Sequence, residues 1–437
     1  MTAARLYRRQ GWLIHAPIWA VMLLLFLWFS HRWMPMPPPT LRISSGSPGG
    51  MYQEHAMRYT KALAAHGIEA VVLPSAGTGE NLQRLRDPAS HVQMAFVQGG
   101  YALSESSQSL GADLETIAQI DVEPVWVFSR FKDVDSLLRL QGMRVAIGQA
   151  GSGSRAVALR MFEQVRLQPG DLMLSESLNL EAVTALREGR IDAMIFVAAP
   201  TAPVVQALLN SSGVYMANLR RSAAMIERLP YLDARFVAAG SLQPKTQQPM
   251  QDTVLLTTLA SVVVRADVHP MVKRILAETA KQLHGGAGPL HATGEFPHLK
   301  RVEFASSRDA REVLRNGLPR LEASLGVQGA QWMYRLLFIG LPLCAIAWIF
   351  SRLIPRYLRW RMESSINRWY GELKFIENDL QSSQPGGLEI ARFRARLSAI
   401  HAHISRFEAP RSFMQRMYVL KQHVLFVQEQ LQRSHGR

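Results

Sequence analysis

Cysteine is almost absent: Cys344 is the only one in 437 residues, and it lies inside an apolar run. A single thiol permits no intramolecular disulfide and no cysteine-based metal site. Acidic residues are sparse as well, 34 against 49 lysines and arginines, giving a formal charge of +15. That excess is concentrated at the two ends. Residues 1–31 carry +3 and residues 352–437 carry +8, which leaves +4 for the 320 residues between them. A nucleic-acid binder gathers basic residues on its binding domain. Here they flank two hydrophobic runs, so nucleic acid is not an expected partner. Sequence signatures of catalysis are missing too: there is no HExxH, GxSxG or GxxxxGK[ST], and no Cys–His set. Residues 151–156, GSGSRA, meet only the relaxed dinucleotide form GxGxxA, a weak match. Glu54, His55 and Glu80 read as surface residues of first helical turns, where glutamate suits the helix dipole. His269, His284, His291 and His298 have no metal-ligand spacing. No cofactor, no metal and no catalytic residue is expected.

What is present begins with membrane chemistry. Residues 14–30 are almost wholly apolar, with Arg5, Arg8 and Arg9 before them and no small-residue cleavage site after. Residues 13–31 therefore read as an uncleaved signal anchor preceded by a short segment, 1–12. A tether with four prolines, 32–40, follows. A second apolar run, 336–354, has Trp332 and Trp348 near its ends, Arg335 ahead of it, and Arg352, Arg356, Arg359 and Arg361 behind. Residues 332–354 are the expected second span. Positive charge on the outer side of each span puts both termini in the cytoplasm and residues 32–331 outside.

The exterior segment repeats one device three times. A short β-like run at 41–43 leads into the turn SSGSPGG (44–50) and a helix carrying Tyr52, Ala56, Tyr59 and Leu63 on one face. Residues 70–73 lead into PSAGTGEN (74–81) and a helix with Leu82 and Leu85. Residues 144–147 lead into GQAGSGSR (148–155) and a helix with Ala158, Leu159 and Phe162. Such helix starts leave amide N–H groups without partners and add partial positive charge, so a small anion is the natural guest. Loops at the carboxyl ends of parallel strands are where α/β sheets bind ligands. Residues 92–97 read as a strand buried on both faces, and two further strands are expected at 116–120 and 124–128. Strands are also expected at 172–174, 193–197, 214–216, 234–237 and 254–264, with helices at 179–188 and 269–283. The last strand returns the chain to the first lobe. Lobe one is 41–128 with 238–331, and lobe two is 129–237.

The motifs GSPGGMY (46–52), SAGTGENL (75–82), MAFVQ (94–98) and AIGQAGSGSRAVALRM (146–161) occur in this order. LREGRIDAMIFVAAP (186–200), LPYL (229–232) and VVVRADVHP (262–270) follow. Together they resemble the TAXI group, the solute-binding subunits of tripartite ATP-independent periplasmic (TRAP) transporters. The resemblance implies a two-lobed type II periplasmic binding protein fold closing on a small carboxylate, an amino acid or organic acid. It also implies delivery to TRAP transporter membrane subunits, with the solute-binding domain in the periplasm and the anchor in the bacterial inner membrane. Carried over residue by residue, Ser47, Gly49, Gly50 and Tyr52 line the cleft from lobe one, joined by Thr78, Asn81 and Gln98. Ser152, Ser154 and Arg155 come from lobe two, with Ala198 near the hinge. Arg155 is the cation of choice, since a guanidinium bonds a carboxylate in bidentate fashion. Gln98-Gly99-Gly100 departs from the group's habit of an acidic residue shortly after the glutamine.

The tail, 355–437, reads as an amphipathic helical bundle in the cytoplasm. Ile366, Tyr370, Leu373, Ile376 and Leu380 step by three and four, and Pro385-Gly386-Gly387 interrupts them. Ile390, Phe393, Leu397, Ile400, Ile404 and Phe407 form a second stripe, ended by Ala409-Pro410. Phe413, Met417, Leu420, Val424, Val427 and Leu431 form a third, with Ser412 as its cap. A sensor that signals through this tail is the alternative function, and an enzyme on the same bilobal fold is a more distant one.

Overall fold

The computed structural model describes residues 3–101, 113–177, 179–220, 222–382, 387–406 and 413–433. Two compact units result: Pro35–Tyr334, and Met1–Met34 together with Arg335–Arg437.

In the first unit three parallel strands open the fold: β1 (Thr40–Ser44), β2 (Glu69–Leu73) and β3 (Met94–Gln98). Helices α2 (Met51–Ala64) and α3 (Thr78–Arg86) connect them; α1 (Ala3–Trp33) belongs to the other unit. Every residue of β3 is buried, as its apolar run requires. Sequence reasoning places two strands at 116–120 and 124–128, but the chain forms one, β4 (Leu114–Ser129). Pro124 does not break it, because a proline is tolerated where the strand changes neighbours. Up to Pro124 the partner of β4 is β10 (Thr253–Arg265), and from Val125 it is β7 (Ala193–Val197). β10 divides in the same way, pairing with β9 (Asp233–Val237) through Thr257 and with β3 from Ala260. These two long antiparallel strands carry one continuous hydrogen-bonded path, β2-β1-β3-β10-β4-β7-β5-β6, from one α/β half to the other.

The second half is again parallel, with β5 (Arg144–Ala146) beside β6 (Met173–Ser175) and β7. It carries α4 (Gly153–Gln164), α5 (Asn179–Arg187), α6 (Pro203–Leu209) and α7 (Ser222–Arg228), with β8 (Tyr215–Met216) at the side of β4. Helix α8 (Pro270–His284), capped by the His269 side chain, packs back on the first half. Strand β11 (Ala305–Ser306), α9 (Arg308–Asn316) and α10 (Arg320–Arg335) close that side. Separate apolar clusters support each half: Leu41, Ile43, Phe96 and Val262 belong to one, and Val145, Val157, Phe162 and Ile195 to another. The structure thus is an α/β fold with a curled mixed sheet.

In the other unit, α1 (Ala3–Trp33) contains a stretch, His15–Trp33, long and apolar enough to cross a membrane, and so does the helical stretch Arg320–Asp379. After a π-helical turn at Leu336–Gly340, α11 runs unbroken from Leu341 to Ser382, through Pro355. The second apolar run and the first tail stripe are therefore one helix. The Arg335 guanidinium, ahead of the second apolar run, donates to Met34 O at 2.7 and 2.9 Å. Helices α12 (Gly387–Arg406) and α13 (Met414–Arg433) complete a bundle around Leu373, Ile376, Leu397, Leu420, Val424 and Val427. Phe407, the break at Ala409-Pro410, Pro385-Gly386 and the Ser412 cap lie outside the described residues.

Candidate functional site

The glycine turns do their work at the carboxyl ends of the strands. Gly49 (φ 77°) and Gly77 (φ 129°) take backbone angles that a side chain would resist, and each precedes a helix start. Gly148 and Gly151 do the same ahead of α4, whose cap is Ser152. These turns face one cavity of about 560 Å³ between the two α/β halves. Four helices of nine residues or more begin on its wall: α2, α3, α4 and α5. Their first-turn amides lack partners within the helix, and their dipoles place positive ends toward the cavity.

Ser47, Gly49, Gly50 and Tyr52 line the cavity from the β1–α2 turn. Thr78 lines it from α3, where its Oγ1 accepts from Gln98 N at 3.0 Å, and the Gln98 side chain lines it from the end of β3. Ser152 and Ser154 line it from α4, the latter holding Val197 N at 3.0 Å. Ala198 lines it beyond β7, and its carbonyl accepts from Trp126 Nε1 at 2.8 Å. The halves meet at the rim. Gly79 N donates to Gly151 O at 3.0 Å, and a Cβ on Gly153 would fall 2.5 Å from Gln98 Oε1.

Two expected residues stand apart. Asn81 is buried and bound within the first half: its Nδ2 donates to Ser45 O and Phe96 O at 2.7 and 2.8 Å, and its Oδ1 accepts from Ser44 Oγ. It ties β1 and β3 to α3 and is not part of the cavity lining. Arg155 is absent from the lining; its Nη1 donates to Gly148 O at 3.1 Å and pairs with Glu176 at 3.3 Å. A carboxylate already on its own half of the fold satisfies the guanidinium. His55, read from sequence as a surface residue, is buried against His284, with ring centroids 4.9 Å apart. Burial drives both imidazoles down, to about 4 and about 3.

Sequence reasoning missed Glu123. It sits on β4 at the cavity floor, only 6% exposed, and Tyr52 Oη donates to its Oε2 at 2.9 Å. Burial pushes its carboxyl up to about 8, with the nearby Asp121 adding to the rise and the Tyr52 hydrogen bond opposing it. Burial, and then Glu123, hold the Tyr52 phenol well above its ordinary value. The available signal was a pair of acids, Asp121 and Glu123, in alternation within an apolar strand. Met51, Leu180, Val197 and Val204 supply apolar wall. Among the described residues the cavity lining holds no lysine, arginine or histidine. A larger cavity of about 960 Å³ involves Tyr231 and Glu303, but Glu303 holds Gly100 N and Arg235 pairs with Glu295 there. Among the described residues no helix of eight residues or more starts on its wall; its donors are side chains such as Lys300 and Arg301.

The NMT1-like family profile matches residues 43–293, which span both halves and all the turns above. Among solved structures, the chain is similar to the Escherichia coli periplasmic aliphatic sulphonate binding protein SsuA at 14% identity and a TM-score of 0.33. That match covers 72% of this chain and 84% of the other. The alkanesulfonate-binding protein SsuA of Xanthomonas axonopodis pv. citri, bound to MOPS, matches at 15% identity and 0.34, covering 56% and 73%. Tv2483 bound to L-arginine matches at 9% and 0.36, covering 59% and 88%. With TM-scores this low, none of the three bears on what this cavity holds.

Proposed function

The chain belongs to the NMT1-like family, and from that premise and the cavity's geometry we propose that it is a membrane-anchored, extracytoplasmic solute-binding protein. Its two halves close on a small organic anion, a carboxylate of the amino-acid or organic-acid kind. The observation that carries this reading is the convergence of four helix starts, from both halves, on one cavity. Amides and hydroxyls there replace the hydration of an anion, and closure excludes water. Ser47, Gly49, Gly50, Tyr52, Thr78, Gln98, Ser152, Ser154 and Ala198 form the site, while Asn81 and Arg155 hold its walls in place. The mechanism is binding without turnover. Two spans, near 13–31 and 332–354, fix the protein in the bacterial inner membrane with both termini cytoplasmic. The partner that receives the solute is a TRAP-type transporter, as the TAXI resemblance implies.

Native mass spectrometry of the full-length protein, purified in detergent, tests the reading directly. An organic anion released on denaturation is expected; an empty cavity that no anion stabilises in a thermal-shift screen would overturn it. One observation favours a second output. Helix α11 is continuous from the second span into the tail bundle, which suits a rod that transmits a change at the membrane. Deleting 383–437 separates the two: uptake survives if the tail only signals and fails if the tail docks the transporter.

A further inference from the structure

On the reading that the cavity takes an anion, the geometry points to Glu123 as the group that admits it: the side chain meets the bound anion as a protonated carboxylic acid, so that capture and protonation of this residue are linked. The reasoning starts from the lining. Its charged members among the described residues are Glu123 and Glu181, both acidic, and Glu181 is exposed at the mouth. No cationic side chain compensates an anion there; Arg155, the nearest candidate by sequence, is held by Glu176. The donors are the helix-start amides, hydroxyls, and the Gln98 amide, whose Nε2 is buried and has no hydrogen-bond partner among the described residues. Such an orphaned donor calls for an acceptor. An ionised Glu123 beside that acceptor would repel the anion in a region of low dielectric, whereas the protonated form donates a hydrogen bond to it.

The surroundings of Glu123 favour the neutral form. Tyr52 from α2 donates to Oε2, and Glu123 itself is part of the cavity lining. Asp121, two residues back on the same strand, adds a second acid, and the His291 ring lies beside it, with Nε2 at 3.4 Å. Arg58 of α2 favours the ionised form of Asp121. Thr258 of β10 stands opposite Glu123 in register, and Gln98 of β3 is neutral. Among the described residues no ion pair reaches Glu123, and its hydrogen bond comes from the Tyr52 phenol.

The test uses the full-length protein in detergent. Infrared difference spectra against Glu123→Gln should show the carbonyl stretch of a carboxylic acid at neutral pH, fading as pH rises through about 8. Succinate affinity, measured by calorimetry, should be level near neutrality and fall toward about tenfold per pH unit above that midpoint. The Glu123→Gln profile should be flat. If that variant does not fold, Tyr52→Phe serves: it removes the hydrogen bond that stabilises the carboxylate, so the midpoint should move to higher pH. A carboxyl that is ionised at neutral pH overturns the inference. So does succinate affinity that rises with pH, or L-aspartate bound more tightly than succinate through an interaction that Glu123→Gln abolishes, since an ionised carboxylate would then be holding an ammonium. Absence of binding by either probe at every pH overturns the anion reading itself, and this inference with it.

Discussion

Gly79→Ala is the sharpest test of how the two halves close. Gly79 N donates to Gly151 O at 3.0 Å across the rim, and a Cβ built on Gly79 lies 2.6 Å from that same oxygen and closer still to the Tyr101 hydroxyl, a side chain that must also move. The Gly151 oxygen is backbone, so it cannot swing aside. Ordinary contact begins at 3.4 Å, so the two turns must part by about 0.8 Å. That separation stretches the Gly79–Gly151 hydrogen bond beyond useful length, at about 1 kcal/mol. Lost dispersion contacts at the rim add a comparable amount. The closed form is then disfavoured by about 1–2 kcal/mol, which lowers the apparent affinity roughly 5–30-fold. Calorimetric titration with the anion identified by mass spectrometry measures this, alongside small-angle scattering to follow compactness. Gly170→Ala, where an added Cβ meets nothing within 4 Å, is the control and should change affinity less than about twofold. Wild-type affinity and wild-type compactness in Gly79→Ala would show that the rim contact plays no part in closure.

Three further outcomes follow from the same geometry. Asn81→Ala strips three buried hydrogen bonds from the junction of β1, β3 and α3, so denaturant unfolding should show a loss of about 2–4 kcal/mol; unchanged stability would contradict its role as a structural tie. Arg155→Ala loses an ion pair to a Glu176 side chain that is 63% exposed, worth about 0.2–1 kcal/mol, and should shift solute affinity less than about threefold; a hundredfold loss would put the guanidinium in the cavity after all. Acid stability should follow His55 and His284. Both have folded values below the unfolded 6.5, so the unfolded chain binds protons first, and stability is full above about 6.5 and lost as pH falls toward about 4 and about 3. His55→Phe should flatten that loss in a pH series of thermal melts, and an unaltered slope would refute the assignment.

The elements of this fold were legible wherever the signal is local. Leu41 and Ile43 alternate, Tyr52 to Leu63 step around a helix, and β3 is apolar on both faces; each pattern names its element without reference to the rest of the chain. Reading failed where a neighbour in space overrules the local pattern. Two strands were expected at 116–120 and 124–128, but pairing with β10 up to Pro124 and with β7 from Val125 makes a single strand. Arg155 follows a serine-glycine turn as a ligand arginine would, yet Glu176, 21 residues on, claims it. Asn81 lies on the right turn, but its amide is consumed by carbonyls of β1 and β3. Short helices such as α6 and α7 carry too few periodic positions to stand out.

Sequence alone settled where the chain turns and where helices begin, because glycine's backbone freedom and apolar periodicity act within a few residues. It likewise settled the two apolar stretches, which depend only on composition over about twenty residues. Which side chains share the cavity was decided by tertiary structure. Tyr52 and Glu123 are 71 residues apart, and only the crossing of β4 beneath the start of α2 brings phenol and carboxyl to 2.9 Å. Burial, a property of the assembled fold and not of any segment, then makes that carboxyl weak.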